Sequence, residues 1–227
     1  MEHCETHFYN FCIIDLGPHY LLSRIIILGN KSMANLRNSI VLLFLLIQVA
    51  TAQVAKEQNF EKALQGFITA FNNKDVVTLN QFVHREGFYV LDNPGAMIVV
   101  KKVSTFDELL SFPGEYDAAR LKVIKVAEKP SRKSHLPKFD CNKDSGWEFN
   151  GAFYARSSYK KISTLLKNYK DSEIVEVKSS QISEAKKIEK RITNGFVDTK
   201  NNVVFYFGRT SGRWILYVID AVTPCSA

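Results

Sequence analysis

Val203-Val204-Phe205-Tyr206-Phe207-Gly208-Arg209-Thr210-Ser211-Gly212-Arg213-Trp214-Ile215-Leu216-Tyr217-Val218-Ile219 is the stretch on which the fold turns. Two runs rich in β-branched and aromatic residues flank a short segment bounded by glycines. The spacing predicts two antiparallel strands, residues 203–207 and 214–219, joined by residues 208–212 as a hairpin loop.

Working back from it, residues 158–192 carry apolar side chains at helical spacing in two parts. Ile162, Leu165, Leu166 and Tyr169 form the first, and Ile182, Ala185, Ile188 and Ile192 the second, with residues 173–177 between them as a short strand. Residues 147–154 and 121–126 read as further strands. Gly87-Phe88-Tyr89-Val90-Leu91-Asp92 and Ala96-Met97-Ile98-Val99-Val100 read as two more, turned by Asn93-Pro94-Gly95 in a type II arrangement. Ser104-Thr105-Phe106-Asp107 resembles a capping box with Asp in the acidic position, opening a helix through Leu110. Upstream, Phe60, Ala63, Leu64, Phe67, Ile68 and Phe71 line one face of a helix over residues 55–72. Asp75 caps a second, shorter helix. The order implies an α+β fold: N-terminal helices packed on one face of a curved, mainly antiparallel sheet, with a helical insertion before the C-terminal hairpin.

The first fifty residues have a different character. Met33 is followed by Arg37, an apolar run over residues 40–47, and Ala50-Thr51-Ala52. This is the order of a secretory signal peptide cleaved after Ala52. The alternative is a membrane anchor over residues 39–52, for which the apolar run is short. Residues 1–32 fit neither pattern and read as a gene-start artefact or disordered extension. The expected organisation is therefore 1–32, a signal peptide at 33–52 and a single domain at 53–227, located outside the cytoplasm as a secreted or periplasmic protein.

Charge and cysteine content follow that division. Of the 227 residues, 30 are Lys or Arg and 23 Asp or Glu, giving a net charge of +7. Residues 1–52 hold equal numbers of each sign, so the whole excess belongs to residues 53–227. That region keeps Cys141 and Cys225, which read as one disulfide in an oxidising compartment, and two histidines, His84 and His135. These are too few for a conventional zinc site. Asp140-Cys141-Asn142-Lys143-Asp144-Ser145-Gly146 begins like a calcium loop but has Gly151 where the closing Glu belongs, so it reads as a turn. No phosphate-binding glycine loop, nucleophile elbow or metalloprotease motif occurs. No cofactor or metal is expected.

The Phe60–Phe71 helix, the break at Asn73-Lys74-Asp75 before Leu79, and the closing hairpin through Trp214 together resemble the nuclear-transport-factor-two-like superfamily. The resemblance is one of layout and covers most of residues 53–227; residues 156–192 depart from it. It implies a cone holding a ligand between sheet and N-terminal helix, and in enzymes of that group an acid or base inside the cone. Candidate bearers of such a role are His84, Asp92 and Asp220, with Tyr89 and Tyr206 beside them; none matches a family motif, and each also reads as an ordinary structural residue. Phe67, Phe71, Tyr89, Trp147, Phe153 and Trp214 are the candidate ligand lining.

Three functions stay open. The leading one is a non-enzymatic exported domain that takes a small molecule, peptide or protein partner; the second is a small isomerase- or dehydratase-like enzyme. The third is an anionic-surface module using the cluster Lys129, Arg132, Lys133 and Lys138. That cluster and the one at Lys186, Lys187, Lys190 and Arg191 lack interleaved aromatics, which argues against nucleic acid. The second cluster alternates with Glu184 and Glu189 and reads as a solvated helix face.

Overall fold

The computed structural model describes residues 60–93, 97–112, 117–142, 146–173 and 175–221. Residues Val54–Ala227 form one compact unit. Five helices are present among the described residues: α1 (residues 60–73), α2 (Val76–Asn80), α3 (Phe106–Leu110), α4 (Lys161–Asp171) and α5 (Ser179–Glu189). The seven strands are β1 (Phe88–Asp92), β2 (Val99–Val103), β3 (Ser131–Arg132), β4 (Ala152–Arg156), β5 (Ile192–Asp198), β6 (Val203–Thr210) and β7 (Arg213–Asp220). They form one open sheet in the order β2-β1-β7-β6-β5-β4-β3. The pairs β1–β7 and β3–β4 are parallel and the others antiparallel. The protein is α+β, as its order of elements implies.

Helices cover both faces of this sheet, not one. Along β1, Phe88 and Val90 join the aromatic core of α1, while Tyr89 and Leu91 join Ile162 and Leu166 of α4 and Ala185 and Ile188 of α5. The same alternation separates Phe205 and Phe207 from Tyr206 on β6. The insertion is thus the second helical layer. Burial on both faces explains why β1 and most of β7 are unbroken apolar runs with no polar alternation.

Several boundaries differ from the sequence reading. The closing hairpin turns on Ser211 and Gly212 alone, whose φ values are 50° and 80°. Two residues with positive φ match the right-handed twist of the flanking strands. Gly208 is therefore a strand residue, and its missing side chain has a use. A Cβ there would meet the Arg191 carbonyl oxygen at 2.0 Å. Residues 121–126 are not a strand. The chain forms a 3-10 helix over Asp117–Lys122 and then runs irregularly. Lys74 Nζ donates to the Leu121 and Ile124 carbonyls, and Asn72 bonds both the N–H and the carbonyl of Val126. Asn72 in the last turn of α1 and Lys74 just after it thereby occupy the backbone groups that a neighbouring strand would need.

The described residues within 173–177 are likewise irregular, α5 ends at Glu189, and Ile192 opens a strand that helical periodicity did not foresee. The strand expected over 147–154 begins at Ala152, Trp147 making only an isolated bridge to Phe139. β2 lies three residues later than read, and the centre of the Asn93-Pro94-Gly95 turn lies outside the described residues. α3 is capped one position on: Thr105 accepts from the Glu108 N–H, and Glu108 accepts from the Ser104 N–H. Asp75 caps α2 as expected, accepting from the Thr78 N–H at 3.1 Å.

Candidate functional site

The space between α1 and the sheet is filled. Phe67 makes ring contacts with Phe71, Phe82, Phe106, Phe205 and Phe207 at centroid separations between 5.1 and 6.2 Å. Phe60 packs edge-on against Trp214 and Phe207. Phe67, Phe71 and Trp214 are thus parts of one close-packed core. Of the other expected lining residues, Tyr89 lies on the opposite face, and Trp147 and Phe153 pack with Val197 in a third, smaller cluster. These six residues do not line a common pocket.

A different recess exists at the far side of the sheet. Its volume is about 140 Å³. Val197 of β5, Val204 of β6 and Asp220 of β7 are consecutive cross-strand neighbours and form its floor. Leu136, Pro137 and Trp147 bound it on one side, and Lys161 at the start of α4 on another; Tyr206 and Asn202 complete it. Trp147 is oriented by its indole N–H, which donates to Asn202 Oδ1 at 2.7 Å.

Polar chemistry converges on Asp220. Lys161 Nζ lies 3.2 Å from Oδ2 and 3.5 Å from Oδ1, and the Tyr159 hydroxyl donates to Oδ2 at 3.3 Å. Tyr159 in turn packs on Tyr206 with ring centroids 4.3 Å apart. Burial, reinforced by the neighbouring Asp220 carboxylate, holds both phenols well above their ordinary pKa. They stay protonated through the physiological range.

Of the three candidate catalytic groups, the recess receives Asp220 alone. His84 sits in the turn between α2 and β1, where its Nδ1 accepts from the Glu86 N–H at 3.2 Å. Asp92 is buried at the end of β1 and accepts from the Asn93 N–H at 3.0 Å. Trp147, expected in a ligand lining, and Tyr206, expected beside an acid or base, do meet Asp220 there. Tyr159, Lys161 and Asn202 were missed. Register was the lost information: a hairpin loop over 208–212 sets Val204 opposite Leu216, whereas the observed two-residue turn, with a bulge at Tyr206/Phe207, sets it opposite Asp220.

Glu189 is no part of a solvated face. It is buried and accepts from both the N–H and the hydroxyl of Ser163, at 2.9 and 2.6 Å. Glu184, by contrast, is only half-buried and pairs with Lys102 at 2.5 Å. Asp140 accepts from the Asn142 N–H in a local turn, as expected for a broken calcium motif. Among the described residues no cluster of His, Cys, Asp and Glu could hold a metal, and no helix is long and apolar enough to cross a membrane. The proposed signal peptide, the membrane anchor alternative and Cys225 lie outside the described residues. Comparison of the chain with protein-family models, with curated proteins and with solved structures produced no match.

Proposed function

We propose that residues 53–227 are an exported binding domain whose recess at Asp220, Lys161, Tyr206 and Trp147 takes a small ligand. The observation that carries this reading is the composition of the recess. Apolar and aromatic walls surround a few convergent polar groups, the pattern of small-molecule sites. Lys161 and Tyr159 both engage Asp220 Oδ2, which favours a fixed counter-ion in a binding site over a free general base. For the same reason the isomerase- or dehydratase-like alternative has less support. The resemblance to nuclear-transport-factor-two-like proteins agrees in its helix-on-sheet layout, but the ligand position it implies is occupied here by phenylalanines.

Export rests on the order of Arg37, the apolar run over residues 40–47 and Ala50-Thr51-Ala52. The Cys141–Cys225 disulfide is part of the same proposal. β7 ends at Asp220 beside Trp147, and Trp147 is bridged to Phe139, two residues before Cys141. Five further residues, spanning up to about 17 Å when extended, bring the chain from Asp220 to Cys225. The anionic-surface alternative draws on the exposure of residues 131–135, although Lys133 is partly committed, its ammonium lying 4.8 Å from the Phe149 ring centroid.

A fragment screen by NMR tests the site. Hits should shift the resonances of Trp147, Val197, Val204 and Tyr206, and Val204→Phe should abolish them while the fold is retained. Hits that map elsewhere, or that survive Val204→Phe, overturn the reading. Terminal sequencing of the secreted product should begin at Gln53; recovery of Met1 or Met33 removes the export claim.

A further inference from the structure

Resting on that binding reading, we propose that the recess selects small organic cations, with Asp220 as the fixed counter-ion and Lys161 as a resident cation that the ligand displaces. The two members of the ion pair are unequal. Asp220 is 12% exposed, anchored on β7 and held by the Tyr159 hydroxyl; Lys161 is 38% exposed, on the long flexible side chain of the first residue of α4. The separations of 3.2 and 3.5 Å mark a loose contact, and an ammonium that leaves it regains hydration directly. Removing the carboxylate from the site would instead require moving a sheet residue. The carboxylate is therefore the fixed member of the pair and the ammonium the movable one.

The walls agree with a fixed carboxylate. Trp147 and Tyr206 both line the recess, and aromatic faces attract cations through their quadrupole while repelling anions. Tyr206 in the wall and Tyr159 behind it, bonded to Asp220, carry hydroxyl groups that remain neutral, so they do not neutralise the carboxylate. Volume limits the ligand to a single ring or a short branched chain bearing the amine. Lys161 mimics such a ligand from within the chain: an ammonium on an aliphatic stem beside Asp220.

Benzylammonium, benzyl alcohol and benzoate form a matched set of probes for the full-length chain. Binding is followed by the Trp147 indole N–H resonance, assigned with Trp147→Phe. Benzylammonium should bind at least about tenfold more tightly than the other two, the equivalent of 1.4 kcal/mol. Asp220→Asn should cancel that preference. Lys161→Met should tighten benzylammonium binding, because the internal competitor is gone. If Asp220→Asn fails to fold, the Lys161→Met result decides alone. Weaker benzylammonium binding in Lys161→Met, or a preference for benzoate or benzyl alcohol, overturns the cation assignment but leaves the recess as a ligand site. Failure of all three probes to move Trp147 overturns both.

Discussion

Lys74 follows α1 with a left-handed backbone, φ 56°, and turns its ammonium back over the Phe71 ring at 4.1 Å to reach the Leu121 and Ile124 carbonyls. Burial, with a smaller contribution from Lys125, lowers its pKa from 10.5 to about 8. Between those two values the unfolded chain holds the extra proton, so stability contributed through Lys74 rises as pH increases across that window. The buried phenols act in the opposite sense. Tyr159 and Tyr206 have folded pKa values raised above the ordinary 10.0. Above pH 10 the unfolded chain loses these protons first, and stability falls. Urea unfolding as a function of pH should therefore show a rise above pH 8 that Lys74→Met removes, and a fall above pH 10 that Tyr159→Phe or Tyr206→Phe reduces. At the same scale, Phe67→Ala should cost about 3–5 kcal/mol, the range for emptying a packed aromatic site; a loss under 1 kcal/mol would show that the space beneath α1 is not close-packed.

At the scale of elements, the second helical layer depends on one buried carboxylate. Glu189 at the end of α5 receives both donors of Ser163 in the first turn of α4, tying the two helices together where they meet the sheet. Glu189→Ala leaves a buried N–H and hydroxyl without that acceptor, and should destabilise the domain by about 2–4 kcal/mol. Ser163→Ala, which keeps the backbone bond, should cost less, and the two effects should be non-additive in a double-mutant cycle. Additive losses would show that the pair does not couple the helices. The β6–β7 hairpin offers a paired comparison of glycines. Nothing lies within 4 Å of a Cβ at Gly212, so Gly212→Ala meets only the left-handed backbone penalty of about 1 kcal/mol. Gly208→Ala drives a methyl into the Arg191 carbonyl and should cost about 3 kcal/mol. Thermal denaturation of the two variants should rank them in that order.

For the whole molecule, the sheet is a shared wall. Its central strands are buried from both sides, so each helical layer builds its core on one face of the same strands. A chain beginning at Gln53 should unfold in one cooperative step, with tryptophan fluorescence and far-ultraviolet circular dichroism following the same curve. Separate transitions for the two layers would contradict the single-domain reading. Non-reducing peptide mapping of the exported protein should recover Cys141 and Cys225 in one linked fragment, and reduction should lower its melting temperature.

Composition and periodicity were enough for the class of fold. α1 and its aromatic face, the Asp75 cap, the two insertion helices and the closing strands all rest on local spacing, which a sequence displays directly. The sequence reading expected one covered face, and the second covered face emerged only from the packing of α4 and α5. What local pattern does not carry is pairing register and the competition for backbone hydrogen bonds. Residues 121–126 have strand propensity, yet Lys74 and Asn72, about fifty positions away, occupy their backbone groups. Asp220 meets Lys161 and Trp147 only because a two-residue turn and a bulge set β6 against β7. Each of those residues looks ordinary in the chain; the recess they form arises from long-range register, which is a property of the packed sheet.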